Sequence, residues 1–431
     1  MKRVLACLLC ALLGLAFAMP ALARDTGFKI TNPYEDVVWS GAEAWSAYKG
    51  NLHTHTTFSD GTMSLADVVE AYYAQGYDVL AIADHGVAAK PWDKRPLTVP
   101  PLDAPHWFEQ RPVLTSERLA DITVGKGRDG RGLTQVPKAI EMNAAVVYKN
   151  HVVGLFGGWG QGWLGLDNDF RTPVRGTQRR GGLSFIAHPG DWIKSASDPA
   201  IAQDPANVSF FADILRDYPS CLGIEIYNGS DNPTRHDRVL WDQLLMRLMP
   251  DGRRVFGFAN DDSHYERDIG LTADILFMPA NTTENIRECL ETGAFLSSSR
   301  IDRPRLGDGY VGDKTTPFPG ITNIQITGDQ IMLQTSDTNQ IEWIADGTVI
   351  AAGSGIDLKA HADEITSYVR AQLIGPGGTT ATQAFGVDKG DGYRHPDDAL
   401  YGWSLVKWTL RLYLTRNPFM FIIETIGKLF K

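Results

Sequence analysis

The chain has 431 residues, 43% hydrophobic and 10% aromatic, which suits a packed globular core and excludes wholesale disorder. Acidic side chains outnumber basic ones 51 to 41, for a formal net charge of -10. That balance argues against general nucleic-acid affinity, because binding phosphate backbones draws on basic patches that release counterions.

Met1-Lys2-Arg3, the apolar stretch Val4 to Ala18 and Ala21-Leu22-Ala23 have the regions of a secretory signal peptide over 1–23, cut after Ala23. The apolar part is short for a membrane span. An exported protein is expected, periplasmic or secreted. Cys7 and Cys10 leave with this segment, and the sequence does not settle whether Cys221 and Cys289 pair. Residues 24–50 are polar and broken by Asn32-Pro33, with Trp39 and Trp45 expected to pack onto the following domain.

From Asn51 to Gly61 the chain reads Asn-Leu-His-Thr-His-Thr-Thr-Phe-Ser-Asp-Gly. On an extended segment His53 and His55 share one face and approach one cation together, with Asp60 within reach from the next turn. Leu65 to Gln75 has the helical period, with Leu65, Val68, Val69 and Tyr72 on one face. Val79 to Ala83 is an apolar run of strand length that ends at Asp84-His85, and the same grammar recurs downstream. Ala139-Ile140 leads to Glu141, Leu183 to Ala187 to His188, Leu222 to Ile224 to Glu225 and Tyr227-Asn228, and Val255 to Ala259 to Asp261-Asp262-Ser263-His264. In a β/α barrel the C-terminal strand ends converge on one rim, so these residues are expected to build one site.

Between these strands, Ala88 to Pro112 is an irregular loop containing Lys90, Arg95 and His106, expected to shape a pocket. A hairpin would bring Glu141 and His151 to one rim. The Gly157–Gly165 stretch, with Trp159 and Trp163, lacks the Gly-Lys-Ser/Thr ending of a P-loop. Arg171, Arg175, Arg179 and Arg180 crowd one expected loop, where a guanidinium would suit an anionic substrate group. Val239 to Met249 and Thr283 to Thr292 read as helices, and Phe295 to Ser299 closes the domain over 24–303.

Residues 304–319 read as a Gly/Pro-rich linker and 320–388 as short alternating strands, simplest as a small β-sandwich. In the tail over 396–431, two amphipathic helical halves divided at Asn417-Pro418 suit peripheral membrane contact and are too short to span.

His53-x-His55 with Ser59-Asp60-Gly61, Ala83-Asp84-His85-Gly86, Glu141, His151, Ala187-His188-Pro189-Gly190 and Asp262-Ser263-His264 together resemble the PHP (polymerase and histidinol phosphatase) superfamily of metal-dependent hydrolases. Tyr227-Asn228-Gly229 and Trp241 to Leu245 look most like its branch named for carbaryl hydrolases. The resemblance covers roughly residues 46–300. It implies an α/β fold, a distorted (β/α)7 barrel with two or three divalent metals at its mouth. The ligands it implies are His53, His55, Asp60, His85, Glu141, His151, His188, Asp262 and His264, with Asp60 the position where family members vary. This nitrogen-rich set suits zinc, with manganese or iron as alternatives. The reading is a hydrolase in which a metal-bridging hydroxide attacks a small-molecule ester, most simply a phosphate ester. The alternatives are a carboxylic-ester or carbamate hydrolase on the same site, and a non-catalytic membrane-associated binding protein. Asp84 and Glu225 are candidates for orienting imidazoles or moving protons. Ser184 and Ser263 are expected spectators.

Overall fold

The computed structural model describes residues 27–98, 100, 103–143, 149–165 and 169–396. The expected signal peptide over 1–23 and the expected tail beyond 396 lie outside the described residues. Among the described residues no helix is long and apolar enough to cross a membrane.

The α/β mixture is present, arranged around a ring of strands. Ser46–Asn51 pairs in parallel with Val79–Leu80, which pairs in parallel with Thr134–Gln135. A second sheet runs Ile140–Met142, Val152–Leu155, Leu183–Ile186, Cys221–Asn228, Phe256–Asn260, its first two junctions antiparallel and its last two parallel. The expected barrel is therefore not one continuous sheet. Its two sheets touch through single parallel bridges, His85 with Glu141 and Thr54 with Ser263. Both seams have a backbone cause. Pro137 has no N–H and Lys138 sits at φ 55°, so the ladder cannot continue from Gln135 into Ile140. At the other seam Asp262, at φ 46°, leaves the extended region.

Helices cover the ring. Leu65–Ala74 starts at Ser64, whose side chain accepts from the Asp67 amide, and buries Leu65, Val68, Val69, Tyr72 and Tyr73. Burying each such side chain contributes about 1.5–3 kcal/mol. Asp237–Leu248 buries Trp241 and Leu244 in the same way. The four arginines expected on a loop are instead carried mostly by a helix, Arg171–Arg179. Asp169 accepts from the Arg171 amide at 2.9 Å, and Gly176 lies against the Trp159 ring, where a β-carbon would clash.

The strands beyond 320 form two groups. Gly320–Thr327, Gln330–Ser336 and Gly355–Asp357 make a three-stranded sheet whose Ile331 and Leu333 are buried while Met332 between them is exposed. The other group is no free-standing layer: Tyr368–Gly375 pairs with Gly378–Thr382, which pairs with Phe295–Ser299 and so joins the sheet of the ring. Lys29–Thr31 pairs with Phe385–Asp388 at the far edge. The segment before residue 320 is pinned by Arg300, which donates to the carbonyls of Asp313, Thr316 and Gly377. Cys221 and Cys289 are separate buried thiols.

Candidate metal centre

The backbone that presents His53 and His55 is tied to the strand-end loop opposite. Asp262 N–H donates to His53 O and His55 N–H to Ser263 O, both at 3.0 Å, while the Thr54 and Ser263 hydroxyls meet. The two imidazoles lie on one face with their Nε2 atoms 3.1 Å apart. Asp262 Oδ1 stands 3.0 Å from His55 Nε2 and 3.3 Å from His53 Nε2.

Glu141 is the hub. Its Oε1 lies 3.3 Å from His53 Nε2, 3.0 Å from His151 Nδ1 and 3.2 Å from His188 Nε2. Its Oε2 lies 2.8 Å from His85 Nδ1 and 3.4 Å from His55 Nε2. The Ile140–Met142 and Val152–Leu155 hairpin places Glu141 beside His151, and Asp60 completes the far side at 3.3 Å from His264 Nε2 and 3.5 Å from His85 Nε2. Three overlapping donor groups result: His55, Asp60, His85 and His264; His53, His55 and Asp262; His85, Glu141 and His151. His188 stands beside the last two, 3.3 Å from His151 Nδ1 and 4.0 Å from Asp262 Oδ2.

These donors fit divalent cations on a physical test. Buried His85 Nδ1, Glu141 Oε2, Asp262 Oδ1 and His188 Nδ1 have no hydrogen-bond partner, although the first two lie only 2.8 Å apart. Buried polar atoms left this way are costly unless something else binds them. Lone pairs crowded together without donor geometry suit a shared positive ion, and imidazole with carboxylate suits zinc, manganese or iron. His188 at φ 31° and Asp262 at φ 46° adopt left-handed backbone conformations, strain of the kind that collects at functional sites.

The charge states follow from the crowding. Burial alone would raise Glu141 and Asp262, yet the surrounding imidazoles hold both well below the carboxylate range, with His151 and His85 acting most on Glu141 and His53 on Asp262. Burial and the neighbouring His264 and His85 take His55 down to about 4, which keeps it neutral and able to donate a lone pair. For His264 burial is outweighed by Asp60 and Asp262, which lift it to about 9.

Glu225 and Asp84 are sealed from solvent, at 0% and 1% exposure, and each contacts groups around the donors. Glu225 Oε1 takes His53 Nδ1 at 2.9 Å and Asn260 Nδ2 at 3.1 Å, while its Oε2 takes the His188 amide at 2.9 Å and Asn228 Nδ2 at 2.8 Å. Such a carboxylate sets the tautomer and ring orientation of a ligating histidine. Asp84 accepts from the Thr56 amide and hydroxyl and from Ser59 Oγ, which lies 3.3 Å from His55 Nδ1. It braces the loop that carries His55 and Asp60. Sequence reasoning saw Asn228 and Asp261 at their strand ends but gave them no role: Asn228 also reaches Asp262 Oδ2 at 3.1 Å, and Asp261 accepts from the Gly270 and Thr272 amides and from Tyr72. Asn228 is the last residue of its strand and Asp261 the first after its own, and that position was the available signal.

Around the mouth, Gly162 N–H donates to Gly86 O, which brings Trp163 and Trp159, 5.5 Å apart, alongside the His85 loop. Trp163 Nε1 donates to Asn143 Oδ1, two residues past Glu141. Arg95 and Arg111 lie 5.8 and 5.5 Å from the Phe58 ring, and His106 pairs with Glu109. Arg171 packs 5.2 Å from the Phe210 ring. Ser263 Oγ is occupied by Thr54 and Tyr72, and Ser184 is buried, so neither is placed as a nucleophile.

No family model matches the chain. A DNA polymerase/3'-5' exonuclease PolX of Bacillus subtilis is 49% identical over 37 residues, 9% of this chain and 6% of that protein's length. Among solved structures, the chain is similar to a two-domain protein from Bacteroides vulgatus described as containing a predicted PHP-like metal-dependent phosphoesterase. That likeness covers 80% of this chain and 88% of the other, at 16% identity and a TM-score of 0.39. A lesion-specific endonuclease from Pyrococcus furiosus matches over 60% of each chain, at 13% identity and a TM-score of 0.35.

Proposed function

We propose that this chain is an exported, metal-dependent hydrolase of the PHP type that cleaves phosphate esters of small molecules. The cofactors are two or three divalent cations, zinc first, with manganese or iron as alternatives. The observation that supports this is Glu141, whose two oxygens face five imidazoles within 3.4 Å while Oε2 has no hydrogen bond. Donor groups that share residues suit adjacent cations, the arrangement that holds both attacking and leaving oxygens in phosphoryl transfer. Export rests on the N-terminal sequence pattern.

When bound, the cations would supply Lewis acidity and lower the pKa of the attacking water. The chain's own part is to hold and aim. Glu141, His151 and His188 would hold one cation, His53, His55 and Asp262 a second, and Asp60, His85 and His264 a third. Glu225 keeps the Nδ1 side of His53 engaged so that Nε2 faces inward, and Asn228 steadies Asp262. Arg95, 5.8 Å from the Phe58 ring, is a cation that would suit an anionic substrate, whereas Arg111 is paired with Asp103 at 2.9 Å.

A carboxylic-ester or carbamate hydrolase, as in the branch named for carbaryl hydrolases, is the second reading. It is favoured by the Trp159–Trp163 pair beside the His85 loop and by Arg171 packing on Phe210. Turnover of nitrophenyl phosphate monoester, phosphate diester and carboxylic ester by metal-replete protein, beside His53→Ala and His188→Ala, separates the two. Phosphate turnover lost in both variants supports the first reading. Preference for the carboxylic ester supports the second, and silence on all three with metal bound returns the non-catalytic alternative.

A further inference from the structure

We propose that the chain carries a second site, free of metal ligands, that binds a phosphate-type dianion attached to an apolar body. A cleft of about 470 Å³ is lined by Lys90, Lys138 and Arg180, and among the described residues its wall holds no carboxylate and none of the nine metal-centre residues. In a chain with more acidic than basic side chains, three cations around one cavity run against composition and set up a local positive potential. Among the described residues none of the three side chains has an ion pair or a hydrogen bond, whereas Arg118, Arg128 and Arg131 nearby in sequence are all paired with carboxylates.

The backbone is shaped to present one of them. Lys138 stands at φ 55°, a conformation that costs a residue with a β-carbon. It is held there by hydrogen bonds on both sides, Phe156 N–H to Pro137 O and Ala89 N–H to Ala139 O, each 2.9 Å. Gly158 faces it across the cleft, where a β-carbon would come within 3.3 Å of Lys138 Cβ, so glycine leaves the lysine stem its room. Two ammonium groups and one guanidinium supply charge-assisted donors for the three oxygens of a phosphate group. Pro91 and Pro137 give the remaining wall an apolar character that water or a bare ion would not use.

The group would be presented by a soluble phosphorylated molecule or by a lipid headgroup, and titration calorimetry on the metal-replete protein distinguishes them. The probes are phenylphosphonate, whose P–C bond resists hydrolysis, inorganic phosphate, and phosphatidylcholine vesicles containing phosphatidic acid. The variants are the triple Lys90→Gln, Lys138→Gln, Arg180→Gln, the single Lys138→Arg, and His53→Ala. Because phenylphosphonate also reaches the metal centre, the readout is stoichiometry. The triple variant is expected to lose one molar equivalent with an unchanged melting temperature, while His53→Ala and Lys138→Arg retain it. Each single Gln substitution weakens this equivalent about tenfold. Tighter binding of phenylphosphonate than of inorganic phosphate supports the soluble source, and vesicle binding alone, lost in the triple variant, supports the lipid one. Equal stoichiometry in wild type and triple variant, or no binding of any probe by the wild type, overturns the site.

Discussion

Glu225 Oε1 lies 2.9 Å from His53 Nδ1 in a region closed to solvent, while the other oxygen of the same carboxylate accepts the His188 amide. One side chain thereby orients groups from two strand ends. Glu225→Gln keeps the shape but turns an acceptor into a donor facing donors. Metal affinity is expected to fall about 10–100-fold, and stability by about 1–3 kcal/mol. Competition with a chelator of known affinity and a urea titration measure the two effects; unchanged affinity would remove Glu225 from its positioning role.

Asp84 accepts three hydrogen bonds from Thr56 and Ser59. Asp84→Ala leaves these buried donors unpaired, at a cost of about 2–4 kcal/mol. The loop carrying His55 and Asp60 then loosens. The expected signature is a lower melting temperature together with faster amide exchange at Thr56, and exchange unchanged there would refute the brace.

The overlap of the three donor groups predicts unequal metal losses. Asp60 belongs to one group, whereas Glu141 faces five histidines. After dialysis, elemental analysis should show Asp60→Asn short of one cation and Glu141→Gln short of more. Chelation of the wild type should lower both its activity and its melting temperature, and metal return should restore them. Equal retention in both variants would count against Glu141 as the hub.

Asp237 is buried with neither carboxylate oxygen partnered by a side chain, and burial pushes it well above the ordinary range, the Gly190 amide and Arg238 opposing weakly. Because the folded pKa lies above the unfolded one, the folded state holds the extra proton. This contribution is complete below about pH 4 and is lost as pH rises toward the folded pKa, at about 1.4 kcal/mol per unit. Asp237→Asn should therefore be more stable than wild type at neutral pH, with the difference shrinking toward pH 4. Unfolding titrations at several pH values would show parallel curves if Asp237 were ionised in the folded protein.

Burial lifts the Cys221 thiol to about 11, and Cys289 donates to Ala294 O inside the core. Both thiols should resist an aromatic disulfide reagent in native protein and react fully in denaturant. Fewer than two reactive thiols in denatured protein lacking residues 1–23 would reveal a bond between them.

Asp60 was reached from the turn after His55, and His151, just before its strand, from the expected hairpin. Most of the donor set could be read from the sequence because its members stand at the end of an apolar run of strand length or share the two-residue His spacing, and both are local patterns. So were the helices at Leu65–Ala74 and Thr283–Thr292. The roles of neighbouring carboxylates were not local. Asp84 and Asp262 each stand near a histidine at a strand end, yet φ 46° at Asp262 turns its carboxylate onto His53 and His55, whereas Asp84 is drawn to Thr56 and Ser59. The helix over Arg171–Arg179 packs Gly176 on Trp159 and has Asp169 accepting from the Arg171 amide at its start, neither of which its spacing shows.

What the sequence determined by itself was the inventory of donors and their order, because side-chain chemistry and strand periodicity are written residue by residue. Tertiary structure decided which donors face one another, which carboxylates are sealed behind them, and that Phe295–Ser299 pairs with Gly378–Thr382 to join the later strands to the ring. Those outcomes depend on hydrogen bonds and backbone angles between segments far apart in the chain, where edge pairing uses the peptide groups common to every residue and so leaves little trace in side-chain identity.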